Sequence, residues 1–460
     1  VGQRYSAQED SKAKRIVGTT VVAFVLAFSR WGTTLGVNPL FISDILIAFI
    51  LTHMLVTRGI KGSRPRIDGF QGVTYLFAIF FGFIAIRVLL SLGQAGILDW
   101  LRDAVPFLYG ALAFVSAASL ARSSKSDRAA TVRVFRWALT IHMLWFSVVA
   151  LSGNESGFSI AGPFASSPIF QVRPDIDVAL VAIAAGLNLR QAILVSSRRF
   201  WNIAGIALGV FVVFTTTATR AGQISLLLAL ALSFAFTYAG SREAKGRQLA
   251  MAFATPVILL AVLIGLPTTT AGERLIATIM PDSISGSRAE MNAQGTQQAR
   301  ERTWETVIEW TNDDPLRAAV GSGFGNDFLA QSGTKKFLEG TTYTNVRSPH
   351  NWFVGVYARL GAIGIFLASL WMAQLVAIAW RRRQDIGDDD LLAFSTLSIA
   401  AIIPVASLGV VLEAPFGAIP FFWSAGVIMA SRAGARKPDS SLVMGRHVDI
   451  TRAAARQHNS

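Results

Sequence analysis

The chain has 460 residues, 52% of them hydrophobic and only 15% charged, where an ordinary soluble protein carries about a quarter. Cysteine is absent, which excludes a disulfide framework, a thiolate metal site and a cysteine nucleophile. The net charge of +14 would point to nucleic acid in a soluble protein; here the basic residues lie between apolar blocks, so they read as membrane topology and anionic-lipid contact, with no nucleic-acid partner.

The apolar blocks run about 17–25 residues, the length that carries a helix across a bilayer core. None has the length and flanks of a cleaved signal peptide. In chain order they predict spans over Val17–Leu35, Pro39–Val56, Phe70–Leu92, Ala104–Ala121, Val134–Leu151, Asp177–Ser196, Trp201–Thr216, Gln223–Ala239, Gln248–Leu266, Trp352–Trp380, Leu391–Val411 and Phe416–Ser431. The predicted fold class is an all-α polytopic membrane protein of about twelve transmembrane helices. Residues 1–266 carry spans one to nine, 267–348 a long loop, 349–432 spans ten to twelve, and 433–460 a basic tail of disordered composition. The Trp352–Trp380 block is longer than a crossing needs, so it tilts or leaves its first turns outside the bilayer.

Lysine and arginine favour the cytoplasmic side of short loops. They cluster at Lys12, Lys14 and Arg15, at Arg58, Lys61, Arg64 and Arg66, at Arg242, Lys245 and Arg247, and at Arg381, Arg382 and Arg383. The short loops of the opposite side hold Arg30, Arg102, Arg173 and Arg220. This alternation predicts that both termini are cytoplasmic and that the long loop is extracytoplasmic. The run Asp388-Asp389-Asp390 reads as a solvated cytoplasmic linker.

The loop from Pro267 to Ser348 is about 80 residues long, and a loop of that length is usually functional. Trp304, Val307, Ile308 and Trp310-Thr311 predict a short amphipathic helix, ended by Asp313-Asp314-Pro315 because proline disfavours helix at the preceding residue. Gly321-Ser322-Gly323-Phe324-Gly325 then predicts a tight turn.

Of the five histidines, His447 and His458 are in the tail, His53 is near the cytoplasmic end of a span, and His142 is mid-span. Only His350 is placed at the outer surface, after the loop and beside Asn351 and Trp352. It is either an interfacial histidine or a group that exchanges protons near neutral pH. Arg220 lies at an outer turn, either reaching the interface or binding phosphate. Arg300 and Arg302 precede Trp304; on a helix Arg300 and Trp304 share a face, so only one of the two arginines faces a pocket. Arg347 is a weaker anion candidate, and Arg87, inside a span, should face the bundle interior. The outer segments contain no His/Asp/Glu cluster with metal spacing and no Walker loop, so no metal or cofactor is expected. Arginines plus one histidine suit a substrate that already carries its phosphates: arginine grips phosphate oxygens, and histidine takes a proton from an attacking hydroxyl.

Ser348-Pro349-His350-Asn351-Trp352, followed by Tyr357-Ala358-Arg359-Leu360-Gly361-Ala362-Ile363-Gly364, resembles the signature of the O-antigen ligase and polymerase superfamily. So do Arg300 and Trp304, then Asp314-Pro315-Leu316 and Gly321 to Gly325, in the same order. Thr219-Arg220-Ala221-Gly222 resembles its Ser-Arg-Gly element, with threonine for serine and Ala221 inserted. The resemblance covers roughly residues 210–410. It implies a GT-C-type fold in a bacterial cytoplasmic (inner) membrane and metal-independent, inverting glycosyl transfer. The donor it implies is a glycan on undecaprenyl diphosphate, and the acceptor a glycan or lipid. It also implies that Arg220 and Arg300 bind the diphosphate and His350 is the general base, with Arg302, Asn351, Arg347 and Trp304 as further substrate-binding candidates. A repeat-unit polymerase uses the same donor and motif. A twelve-helix secondary transporter fits the span count but not Arg58-Gly59-Ile60-Lys61-Gly62, which departs from the major facilitator pattern.

Overall fold

A helix that is apolar on every side can face only lipid or other helices, and most of the described residues lie in predominantly apolar helices. The computed structural model describes residues 19–27, 36–37, 40–49, 52, 72–120, 123–152, 172–215, 220–240, 288–337 and 346–430. They belong to one compact unit, Val1–Ala430; a second unit, Ser431–Ser460, holds the basic tail and lies outside the described residues.

The helices are α1 (Gly72–Leu90), α2 (Ile97–Leu108), α3 (Ala111–Leu120), α4 (Lys125–Ser152), α5 (Pro174–Leu194), α6 (Arg199–Thr215) and α7 (Arg220–Gly240). There follow α8 (Arg288–Asn312), α9 (Pro315–Val320), α10 (Phe328–Gln331), α11 (Trp352–Arg381), α12 (Arg383–Asp388), α13 (Asp390–Ser407) and α14 (Pro415–Ala430). A two-residue antiparallel ladder, β1 (Gly36–Val37) with β2 (Leu40–Phe41), is the strand structure among the described residues.

Among the described residues, eight stretches are long and apolar enough to cross a membrane: α1, α2 continued by α3, α4, α5, the stretch holding α6, α7, α11 and α13. The chain is thus a helical, multi-pass membrane protein. The sequence predicts twelve spans. Of the other four, Phe416–Ser431 corresponds to the shorter apolar α14, the first two are described only in part, and Gln248–Leu266 lies outside the described residues. Ile79, Ile86, Leu89, Trp137, Val148, Phe366 and Val376 are exposed on these helices. In water such a belt would drive aggregation, whereas against lipid it is the expected outer face.

α5 forms the centre, buried without interruption from Ile176 to Leu187 and packed by α4, α6, α7 and α13. Small residues allow close approach. A Cβ on Gly186 would lie 3.2 Å from the Ala229 carbonyl oxygen, and Ser233 Oγ of α7 donates to the Gly186 carbonyl at 2.5 Å. Ser225 Oγ donates to the Ala401 carbonyl of α13 at 2.6 Å. At one end of the bundle, Arg190 reaches the Gly387 carbonyl at 2.6 Å and Asp390 at 2.9 Å, and Arg128 pairs with Asp389 at 2.6 Å. Asp389 also caps α13, accepting from Leu391 N and Leu392 N. The acidic run read as a solvated linker is therefore a tie between helices, because its partners lie far away in sequence.

The loop helix predicted around Trp304 is longer than expected: α8 has 25 residues. Its first turns are polar and carry no apolar stripe to announce them. α11 is interrupted at Gly361, with φ 63° and ψ −164°, a backbone conformation open to glycine and strained for other residues. The long predicted span is thus two pieces.

Candidate functional site

The site lies at the end of the bundle where α5, α7 and α11 begin, opposite the Arg190 end. It is built from the glycine turn upward. Asp314 accepts from Leu316 N at 2.8 Å and Arg317 N at 3.0 Å, and Pro315 occupies the first helical position, so α9 starts where the sequence predicts a stop. These backbone donors, Arg317 N first, hold the Asp314 carboxyl below its usual range. Gly321, Gly323 and Gly325 follow with φ of 76°, 82° and 88°. A helix broken at Gly361 leaves carbonyls unpaired, and the turn fills them: Ser322 N donates to Ala358 O at 2.8 Å and Gly323 N to Arg359 O at 3.0 Å. A Cβ on Gly321 would lie 2.1 Å from the Arg359 carbonyl carbon, so this approach requires glycine. From α1, Arg87 Nη2 donates to the Gly321 carbonyl at 2.8 Å, and Phe324 N donates to Ser91 Oγ at 3.0 Å. Arg87, half-buried in the last turn of α1, thus points at the glycine turn.

Behind the turn, buried Asp103 of α2 takes Arg359 Nη1 at 2.9 Å, Arg347 Nη2 at 3.1 Å and Gly325 N at 3.1 Å. Arg347 also donates to the Gly325 carbonyl at 2.8 Å, and its Nη1 lies 3.6 Å from Asp99 and 3.7 Å from Asp327. Three carboxylates thus surround the Arg347 guanidinium, and an incoming phosphate would face their charge. Burial pushes the Asp327 carboxyl up, but Lys335 at 2.6 Å and Arg347 outweigh it and hold it below the usual range.

His350 stands on the short segment that leads into α11. Asn351 is the helix cap, its Oδ1 accepting from Phe353 N at 2.9 Å and Val354 N at 3.3 Å. Its side-chain oxygen is thereby committed to the helix. Trp304 Nε1 donates to the Pro349 carbonyl at 2.7 Å, and its ring packs on the cluster of Val307, Phe328, Leu329, Val354 and Ala358. Trp304 therefore clamps the loop helix onto the histidine segment. His350 has φ of 55°, a left-handed conformation uncommon outside glycine. Burial, then the nearby charges of Arg300 and Arg173, push its imidazole down to about 4. At neutral pH it is uncharged and able to accept a proton.

The structure separates the two loop arginines: Arg300 is half-buried and acts on His350, whereas Arg302 is exposed. Arg220 is half-buried and opens α7. Arg173 caps the start of α5, its N–H donating to Asp177 at 2.6 Å and its guanidinium lying 5.1 Å from the Phe416 ring centroid. Gly186 of α5 meets Ser233 of α7, and further along each helix Arg190 and Gly240 both meet Gly387, so the two run in the same direction and Arg173 and Arg220 stand at the same end of the bundle. Glu413 ends the short 3-10 turn Val411–Glu413 and is half-buried. Burial raises its carboxyl to about 7, opposed by Arg359 and the Ser348 hydroxyl and reinforced by Asp103.

Arg173, Glu413, Asp103 and Arg359 were not singled out by chemistry in the sequence. Arg173 reads as one more outer-loop charge, and the others have partners on distant elements. Among the described residues no cluster of three or more His, Asp or Glu is placed to hold a metal ion. The groups that converge are cations around an uncharged imidazole, an arrangement suited to an anion.

Residues 204–369 match the family model described as O-antigen ligase. No curated protein matches the chain. Among solved structures, the chain is similar to one described as "Structural coordination of polymerization and crosslinking by a peptidoglycan synthase complex". The identity is 16% and the TM-score 0.39, over 78% of this chain and 96% of that one. The matched segment runs from within α6 to within α11, and so contains Arg220, α8 with Arg300, the glycine turn and His350. Over those residues the chain is similar to the O-antigen ligase family.

Proposed function

We propose that the chain is a metal-independent membrane glycosyltransferase that moves a glycan from undecaprenyl diphosphate onto an acceptor hydroxyl on the extracytoplasmic side, as a ligase. The observation that carries this reading is an uncharged His350 held in a left-handed turn beside Arg300 and Arg173. We read the whole chain as a twelve-span, GT-C-type protein of a bacterial inner membrane, with both termini cytoplasmic. The arginine-rich Arg190 and Arg382 end faces the cytoplasm.

In this mechanism His350 removes the proton of the acceptor hydroxyl as its oxygen attacks the anomeric carbon. The bond from that carbon to the diphosphate oxygen breaks, the configuration inverts, and the lipid diphosphate leaves with the bonding pair. Arg300 and Arg220 stabilise the charge that develops on it. The low proton affinity of the free site is consistent with this order. A bound diphosphate offsets the arginine charges that depress the imidazole, so His350 becomes a better base once the donor is in place.

The test is transfer in detergent from a lipid diphosphate glycan to purified envelope acceptors, with and without EDTA. His350→Ala, Arg300→Ala and Arg220→Ala should each lower turnover by about a hundredfold or more, while EDTA leaves the wild type unchanged. Wild-type rates in all three variants would overturn the assignment. A product extended by its own repeat unit, instead of a capped acceptor, would make the enzyme a polymerase.

A further inference from the structure

Glu413 lies outside the segment that carries the family match, yet it is wired to the histidine. Its Oε1 sits 2.8 Å from where a Cβ on Gly355 would be, so the missing side chain on the first turns of α11 is what admits it. Its carboxyl lies against the Ser348-Pro349 segment: Pro349 Cδ is 3.8 Å from the same Cβ position, and the Ser348 hydroxyl draws the carboxyl down against burial. The same Ser348 oxygen accepts the backbone N–H of His350 at 3.3 Å. A non-glycine residue keeps a left-handed backbone only where its surroundings hold it there, and the path from Glu413 past Ser348 to His350 offers such a hold. The charged groups around Glu413 are Arg359 on α11 and Asp103 on α2, the latter also bonded to Arg347. Asp175 at the start of α5 faces Gly409, just before the 3-10 turn, and Arg173 faces Phe416, just after it.

We propose that Glu413 is a positioning residue for His350: its carboxylate orients the Ser348 hydroxyl, which fixes the His350 backbone and so aims the imidazole. The role of that imidazole as base rests on the function proposed above. The ionised carboxylate is the stronger acceptor for the hydroxyl, so the hold weakens as pH falls through about 7. In the donor-free chain His350 itself stays uncharged down to about 4, which separates the two groups on the pH axis there.

The experiment uses the full chain in detergent. Wild type, Glu413→Gln, Glu413→Asp and Ser348→Ala are compared by transfer kinetics from pH 5.5 to 8.5, and by thermal melting. His350 modification with diethyl pyrocarbonate is followed by mass spectrometry, with His447 as internal reference. Glu413→Gln should lower kcat by about tenfold at unchanged donor KM and unchanged or higher melting temperature. The acid limb of kcat/KM near pH 7, which reports the donor-free enzyme, should vanish in Glu413→Gln and return in part in Glu413→Asp. The His350 modification rate, relative to His447, should show the same inflection in wild type only. Wild-type kcat and acid limb in Glu413→Gln would overturn the inference, as would activity lost only in proportion to melted protein. If the wild type transfers nothing, the functional reading fails, and the modification profile still decides: an identical His350 profile in wild type and Glu413→Gln overturns the positioning role.

Discussion

At the scale of single residues, arginines of similar placement in sequence prove to have unlike surroundings. Arg347 holds buried Asp103 together with Arg359, so Arg347→Ala leaves a buried carboxylate half-compensated and should cost about 3 kcal/mol. A lowered melting temperature for Arg347→Ala, with no change for exposed Arg302→Ala, checks this; equal melts would remove the structural role. The sequence points to Arg347 because it stands three residues before His350. Its partner Asp103 is 244 positions away, and no local pattern links them. His350 and Glu413 also contribute to stability with opposite signs. His350 is depressed from 6.5 to about 4, so the unfolded chain binds its proton more readily; the stability it contributes is present above pH 6.5 and lost as pH falls towards 4. Glu413 is raised from 4.5 to about 7, so the folded chain holds its proton more readily; that stability is full below pH 4.5 and lost as pH rises through 7. Melting curves should lose the first dependence in His350→Ala and the second in Glu413→Gln, and an unaltered pH profile in either variant would contradict its assignment.

At the scale of elements, the joint between the glycine turn and α11 governs the site. Gly361→Ala forces a left-handed conformation, which costs about 1–3 kcal/mol, and places a methyl 2.4 Å from the Ala319 carbonyl carbon. The expected result is a loop end open to protease, measured by cleavage between α8 and α11, with the transmembrane core still assembled. Unchanged cleavage would mean that the break tolerates a side chain. The glycines of the turn were legible as a turn, since their spacing admits little else. The Gly361-to-Gly364 spacing was legible as a motif but not as an interruption, because an apolar run of thirty residues looks continuous until its carbonyls are counted. The start of α8 was invisible for the opposite reason, being helical without apolar periodicity.

At the scale of the molecule, hydropathy alone made the class plain: blocks of bilayer length recur, and the described helices turn apolar side chains outward. The packing order was not legible, because every face of α5 is apolar and nothing in its sequence says which neighbour lies where. The proposed orientation is open to a direct test, since the chain has no cysteine. Single cysteines at Lys335 and Asp385, treated with a membrane-impermeant maleimide on intact spheroplasts, should label at 335 and remain unlabelled at 385 until lysis. The reverse pattern would invert the topology.

The interruption in α11 also bears on the order in which the chain is assembled. The carbonyls of Ala358 and Arg359 are completed by Ser322 and Gly323, which precede them in the chain. A helix inserted into lipid without those donors would carry open acceptors in a medium that offers no water to fill them. During biogenesis, then, the loop emerges first and waits, and α11 reaches its final shape only as it is stitched to it. Membrane insertion of α11 and completion of the candidate site are a single event.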